Sequence, residues 1–263
     1  MAMGNSKRGI RVTDWTKHHV LITGGGTGIG AALATIFAQS GAAVSIVGRR
    51  RAPLDAVAAR TGATAINADV TDATALSDAV AQARTMHGPV TIAIANAGGA
   101  DSKPFAKMNH TDFTAALDLN LTGTFSLWHA CLPDMQTAGS GRMIAIASIL
   151  GLKGQNYTAA YCAAKHGVVG LTRALAIELA QTGITVNALC PGYVDTPLLE
   201  RSISTIVEKT GMDTADAAAI LLRGNPQGRF IQPDEVAAAC LFLASDDAHS
   251  ITGHALPLSG GEI

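Results

Sequence analysis

The sequence predicts a single doubly wound α/β domain, a seven-stranded parallel sheet with helices on both faces. Three observations lead there. Seven short apolar runs of β character recur along the chain, Ala-rich helical stretches separate them, and a glycine-rich turn follows the first run. Strands that are apolar throughout, instead of alternating, belong in a parallel sheet covered on both sides. At 263 residues, 48% hydrophobic and 15% charged, the chain can bury one such core.

Taken in order, "HVLIT" (19–23) is the first strand and 29–39 the first helix. "AVSIVG" (43–48) precedes a helix at 52–60, and "ATAINA" (63–68) precedes one at 73–87. "VTIAIA" (90–95) leads to a long helical pattern over 111–137, and "MIAIAS" (143–148) to another over 157–182. "TVNALC" (185–190), a helix at 233–245 and "HALPL" (254–258) complete the alternation. Asp72 and Asp112 stand in or just before first turns, and Gly41, Gly88 and Gly183 follow last turns, as helix ends prefer. Residues 197–232 are too long for a plain connection and read as a partly helical lid. Residues 1–14 read as a flexible leader: no apolar stretch follows their basic residues, so no secretory signal is expected. Residues 15–263 then form the folded domain.

Composition narrows the function. A net charge of −1 gives no electrostatic reason to bind nucleic acid or an anionic membrane. No apolar run nears the roughly 18 residues of a membrane span. Cys131, Cys162, Cys190 and Cys240 stand too far apart for a metal knuckle or redox pair, and no HExxH occurs, so no metal is expected. The expectation is a cytoplasmic protein with reduced thiols in its core.

"TGGGTGIG" (23–30) joins the first strand to the first helix. Glycines there let a pyrophosphate approach the helix amino end, and residues 26–31 fit the G-x-G-x-x-A of a Rossmann-type turn. "YCAAK" sets Tyr161 and Lys165 four residues apart, on one helix face. An ammonium beside a phenol favours phenolate and brings the tyrosine pKa down towards working pH. Tyr157 and Tyr193 have no lysine four residues on. Roughly 20 residues after the glycines, where an acid would bind a ribose 2′-hydroxyl, the chain has "IVGRRR". Gly48 stands in the acid's place and the Arg49 guanidinium suits a 2′-phosphate, which favours NADP(H) over NAD(H). Arg50 and Arg51 fit a solvated helix start.

Over about residues 15–262 these motifs are similar to those of the short-chain dehydrogenase/reductase family. "TGGGTGIG" resembles its TGxxxGxG turn, "ANAG" (95–98) its NNAG strand end, "YCAAK" its YxxxK and "PGYVDT" (191–196) its PGxxxT. Ser148 stands thirteen residues before Tyr161, a spacing common in the family. Ala95 departs from the pattern, standing where the family's first Asn usually lies. The resemblance implies that Tyr161 exchanges a proton with a carbonyl oxygen as hydride moves, while Ser148 holds that oxygen. It implies that Lys165 bonds the nicotinamide ribose and that Asn120 completes a proton relay through water. Implied cofactor contacts are Thr23, Gly24, Gly26, Thr27, Gly28, Ile29 and Gly30 at the turn, with Arg49, Asp69 and Val70 on the adenosine side. Asn96, Ala97, Gly98, Tyr161, Lys165, Pro191, Gly192, Val194 and Thr196 complete the set. Thr196 fits a helix cap before Pro197 equally well.

Substrate contacts are expected from Ser148, Tyr161, Tyr193, the residues after Ser148, and the lid. The chain looks most like polyketide ketoreductases, β-ketoacyl reductases and 3-hydroxybutyrate dehydrogenases, which implies a β-keto acid, a thioester or a related ketone. Two other readings stay open: an NAD-dependent 3-hydroxy acid or alcohol dehydrogenase, and a catalytically silent dinucleotide-binding regulator. A homo-oligomer, a homotetramer, is expected because two helices are richer in apolar residues than one sheet face needs. One is 157–182, with Gly167, Gly170, Ala174 and Ala176 beside Val168, Val169 and Leu171; the other is 111–137, with Phe125, Leu127 and Trp128.

Overall fold

Each of the seven expected strands forms, within two residues of its expected limits. The computed structural model describes residues 13–263, so nearly all of the leader expected over 1–14 lies outside the described residues. The strands are β1 His19–Thr23, β2 Ala43–Gly48, β3 Thr64–Asn67, β4 Ile92–Ala95, β5 Gly141–Ile146, β6 Ile184–Pro191 and β7 Ala255–Leu258. All pair in parallel, in the order β3-β2-β1-β4-β5-β6-β7. The order reverses between β1 and β4, and ligands of such sheets bind at the carboxyl ends beside that reversal.

Helices α1 Gly28–Gln39, α2 Arg51–Thr61 and α3 Ala73–His87 match the sequence reading. Asp72 caps α3 by accepting from the amides of Thr74 and Ala75, worth about 1 kcal/mol. The long pattern over 111–137 does not form one regular helix. It divides into α4 His110–Leu117, a wide π-type turn Asp118–Thr122, and α5 Gly123–Ala138. The Asn120 side chain donates to the Ala116 carbonyl, and Thr124 Oγ1 donates to the Asn120 carbonyl, so side chains occupy acceptors of the regular ladder. The helix expected from 157 begins later, as α6 Ala159–Glu178, because Tyr157 sits at φ 65°, outside the helical region. The 197–232 segment holds α7 Pro197–Thr210 and α8 Thr214–Leu222, followed by α9 Pro233–Ala244.

The sheet divides the core into two unequal halves. Towards α3, α5 and α6 it presents Ala93, Ala95, Ala145 and Ala188 among larger residues such as Leu21, Met143 and Val186. Towards α1, α2 and α9 it presents Ile22, Ile92, Ile94, Ile144, Ile146 and Leu189. Small sheet residues let the α5 and α6 side approach closely, and α6 carries Tyr161 and Lys165. Of the four cysteines, all free, Cys131, Cys190 and Cys240 are buried as expected, while Cys162 is only half-buried and lies beside the Thr158 hydroxyl. Among the described residues, no helix is long and apolar enough to cross a membrane.

Candidate active site

The glycine turn is shaped by the end of β4. Thr23 is buried, and its hydroxyl accepts from the amides of Asn96 and Ala97, both at 3.1 Å. Asn96 Nδ2 donates to the Thr23 carbonyl at 2.9 Å. Thr23, expected among the cofactor contacts, thus also fixes the shape of the turn. A Cβ on Gly30 would fall 2.1 Å from the Gly24 carbonyl oxygen, so no other residue fits there. The amino end of α1 has neither a side-chain cap nor an acid in its first turn. Open amide donors with the positive end of a helix dipole suit a pyrophosphate, so the residues present fit a dinucleotide.

Thr196 lies against this turn, since a Cβ on Gly28 would fall 3.0 Å from Thr196 Cγ2. It holds the N-cap position of α7 but does not cap: its hydroxyl donates to the Val194 carbonyl at 3.1 Å. On the adenosine side, Arg49 leaves the carboxyl end of β2 and lies 3.5 Å from Asp69, which follows β3. Asp69 also accepts from the Thr71 amide and hydroxyl, and its carboxyl is held below the usual range although burial opposes this. Val70 points inward against Gly123, leaving only its backbone for a ligand.

Ser148, Tyr161 and Lys165 meet at the carboxyl ends of β5 and β6. Ser148 lies beyond β5, not in it, and its Oγ accepts from the Leu150 amide at 3.1 Å. That contact fixes the hydroxyl while leaving its proton free to donate. Lys165 is 4% exposed, with Nζ 5.6 Å from the Tyr161 ring centroid, and it donates to the Ile146 carbonyl at 2.9 Å. The expectation that Lys165 brings the phenol pKa down is not met. The ammonium lies over the ring rather than on the oxygen, and burial pushes the phenol up to about 12, with Ser148 drawing it the other way. Burial likewise pushes Lys165 down to about 8.

Asn120 is buried in the wide turn, donates to the Gly99 and Ala116 carbonyls, and accepts from the Gly99 amide. Its amide thus works first as a brace; one lone pair remains on Oδ1. Gly98 separates that oxygen from Lys165, because a Cβ on Gly98 would fall 2.8 Å from Asn120 Oδ1 and 3.6 Å from Lys165 Nζ.

With the site assembled, comparison with known proteins decides the family. The family model described as short chain dehydrogenase matches residues 18–206. The chain is a short-chain dehydrogenase. It is therefore an oxidoreductase acting between CH–OH and C=O groups. This short-chain dehydrogenase is 35% identical over 249 residues to D-beta-hydroxybutyrate dehydrogenase of Rhizobium meliloti (strain 1021), covering 92% of this chain and 96% of that one. It is 37% identical over 244 residues to acetoacetyl-CoA reductase of Shinella zoogloeoides, covering 92% and 97%. A crystal structure of an actinorhodin polyketide ketoreductase variant with NADPH superposes with a TM-score of 0.91 at 32% identity, covering 95% of this chain and 99% of that one.

Around Tyr193 and the residues after Ser148, both expected to touch substrate, the fold of the short-chain dehydrogenase adds one residue that the motifs did not reveal, Glu262. Tyr193, expected there, accepts a hydrogen bond from Gln155 Nε2 at 2.9 Å. Lys153 pairs with Glu262, 109 residues away in sequence. No local pattern links two positions so far apart.

Proposed function

We propose that the chain is an NADP(H)-dependent reductase interconverting a ketone and a secondary alcohol, on a β-keto acid, a thioester or a related carbonyl. The convergence of Ser148, Tyr161 and Lys165 beside the open amino end of α1 supports this most. A bound nicotinamide supplies the hydride or takes it back. Tyr161, protonated at neutral pH, gives its proton to the carbonyl oxygen, and Ser148 donates a hydrogen bond to the same oxygen. Lys165 would hold the ribose hydroxyls of the bound nucleotide. The free lone pair of Asn120 can take a water that leads back towards Lys165 past Gly98. Helices α7 and α8 serve as the lid, their half-buried apolar residues facing the substrate. A silent regulator would need none of this convergence.

The Arg49 guanidinium, beside a residue with no side chain at 48, supports a 2′-phosphate, as does the NADPH in the similar ketoreductase. The test is kcat/KM for NADPH and NADH with one accepted ketone. Wild type is expected to prefer NADPH, mostly through KM, and Arg49→Ala to lose roughly 10- to 150-fold of that preference. Tyr161→Phe should lose turnover by roughly 10²–10⁴-fold while still binding NADPH. Near-normal turnover in Tyr161→Phe would sink the mechanism, and a wild-type preference for NADH would sink the cofactor assignment.

A further inference from the structure

Glu262 is buried to an unusual degree for a carboxylate near a chain end, with its side chain 8% exposed. Lys153 Nζ donates to its Oε1 at 2.5 Å. A Cβ on Gly224 would fall 2.4 Å from that oxygen, and one on Gly192 3.6 Å from Oε2. The carboxylate therefore lies among the loop after Ser148, the loop leaving β6 and the far end of the lid. Tyr193 stands beside it, close enough for both Glu262 and Lys153 to act on its phenol. The Lys153 loop also folds back onto the start of α6, where Cys162 faces the Lys153 carbonyl.

Lys153 is the one cation in the loop between Ser148 and Tyr161, and its charge is already answered. Of the nearby lysines, Lys103 is paired with Asp112, whereas Lys209 is exposed and turned to the Ser102 carbonyl. The lid arginines, Arg201 and Arg223, are exposed.

Resting on the reductase reading above, we propose that the Lys153–Glu262 pair makes this wall neutral, so that the site takes β-keto esters, thioesters and ketones and discriminates against free β-keto carboxylates. A substrate carboxylate brought here would lose water without gaining a cation, and it would approach Glu262. Discrimination of this kind comes from repulsion and an unmet desolvation cost, not from a better fit to the favoured substrate.

The test uses the full chain with NADPH and two substrates, ethyl acetoacetate and acetoacetate, read as the acid-to-ester ratio of kcat/KM. Wild type should favour the ester. Glu262→Gln frees the Lys153 cation and should raise the ratio roughly tenfold or more, chiefly by lowering KM for the acid. Lys153→Met leaves a bare carboxylate and should lower the ratio, while the double variant, neutral again, should return it near the wild-type value. That order reports charge and not shape, and if Glu262→Gln fails to fold, the opposite shift in Lys153→Met still tests it. A wild type that favours acetoacetate, or a ratio unmoved by every variant, overturns the proposal. Turnover of neither substrate by wild type would sink the reductase reading, and this inference with it.

Discussion

Lys165 is held where folding does not favour it. It is 4% exposed, its hydrogen-bond partner is the Ile146 carbonyl, and burial brings its pKa from the ordinary lysine value down to about 8. Between that value and the unfolded one, about 10.4, the native chain binds fewer protons than the unfolded chain. Stability should therefore rise with pH across this window, with the penalty fully present below it. Lys165→Met should unfold at higher denaturant than wild type at pH 7, by up to about 2 kcal/mol, and lose that advantage by pH 10. A variant less stable at both pH values would show that the ammonium's hydrogen bond outweighs its burial. Tyr161 gives the complementary activity signature. Its raised pKa keeps it a proton donor at neutral pH, so reduction should persist there while alcohol oxidation, which needs phenolate, climbs as the medium becomes alkaline. The four-residue spacing placed both groups on one face, and that much was legible. The resting ammonium's choice of a backbone carbonyl depends on where β5 ends, which local spacing does not encode.

At the scale of elements, the inner strands were legible because apolar runs buried on both faces have few other readings; the half-exposed edge strands β3 and β7 followed from the alternation. The wide turn at 118–122 was not, because apolar residues continue at helical intervals on either side of it. Its insertion has a direction. No residue of α4 is buried, whereas α5 is anchored by Leu127, Trp128, Cys131 and Met135. Deleting the exposed Thr122 should let the turn close into regular helix. Each residue removed rotates one side against the other by about 100°. The anchored α5 will keep its face, so Asn120 will turn away from Gly99 and Lys165. Measured kcat/KM should fall at least tenfold with only a small change in Tm; retained activity would show that the brace is dispensable. The 197–232 segment was predicted as partly helical from its length alone, and α7 and α8 supply that helix.

For the whole molecule, the expected apolar surface needs revision. Val168, Val169, Ala176, Leu127 and Trp128 are buried in the domain's own core, and Gly167 packs on Leu121. What remains outward is Phe125 at 50% and Ile177 at 81% exposed, with Gly170 of α6 facing open space. We keep the homotetramer as a proposal on that smaller surface. Light scattering at micromolar concentration should give an oligomer, and Ile177→Glu should shift it towards smaller species; a stable wild-type monomer would refute it. The two faces of the sheet also leave unequal room for change. Ile92, Ile144 and Leu189 share a core with α1 and α9, which carry none of Ser148, Tyr161 and Lys165. Volume added at Ala188, on the strand packed against α6, presses on that helix and on the reach of Lys165 to the Ile146 carbonyl. Attempts to make this chain more heat-resistant should therefore draw first on the layer beneath α9, whereas beneath α6 an added methyl is felt first as lost turnover.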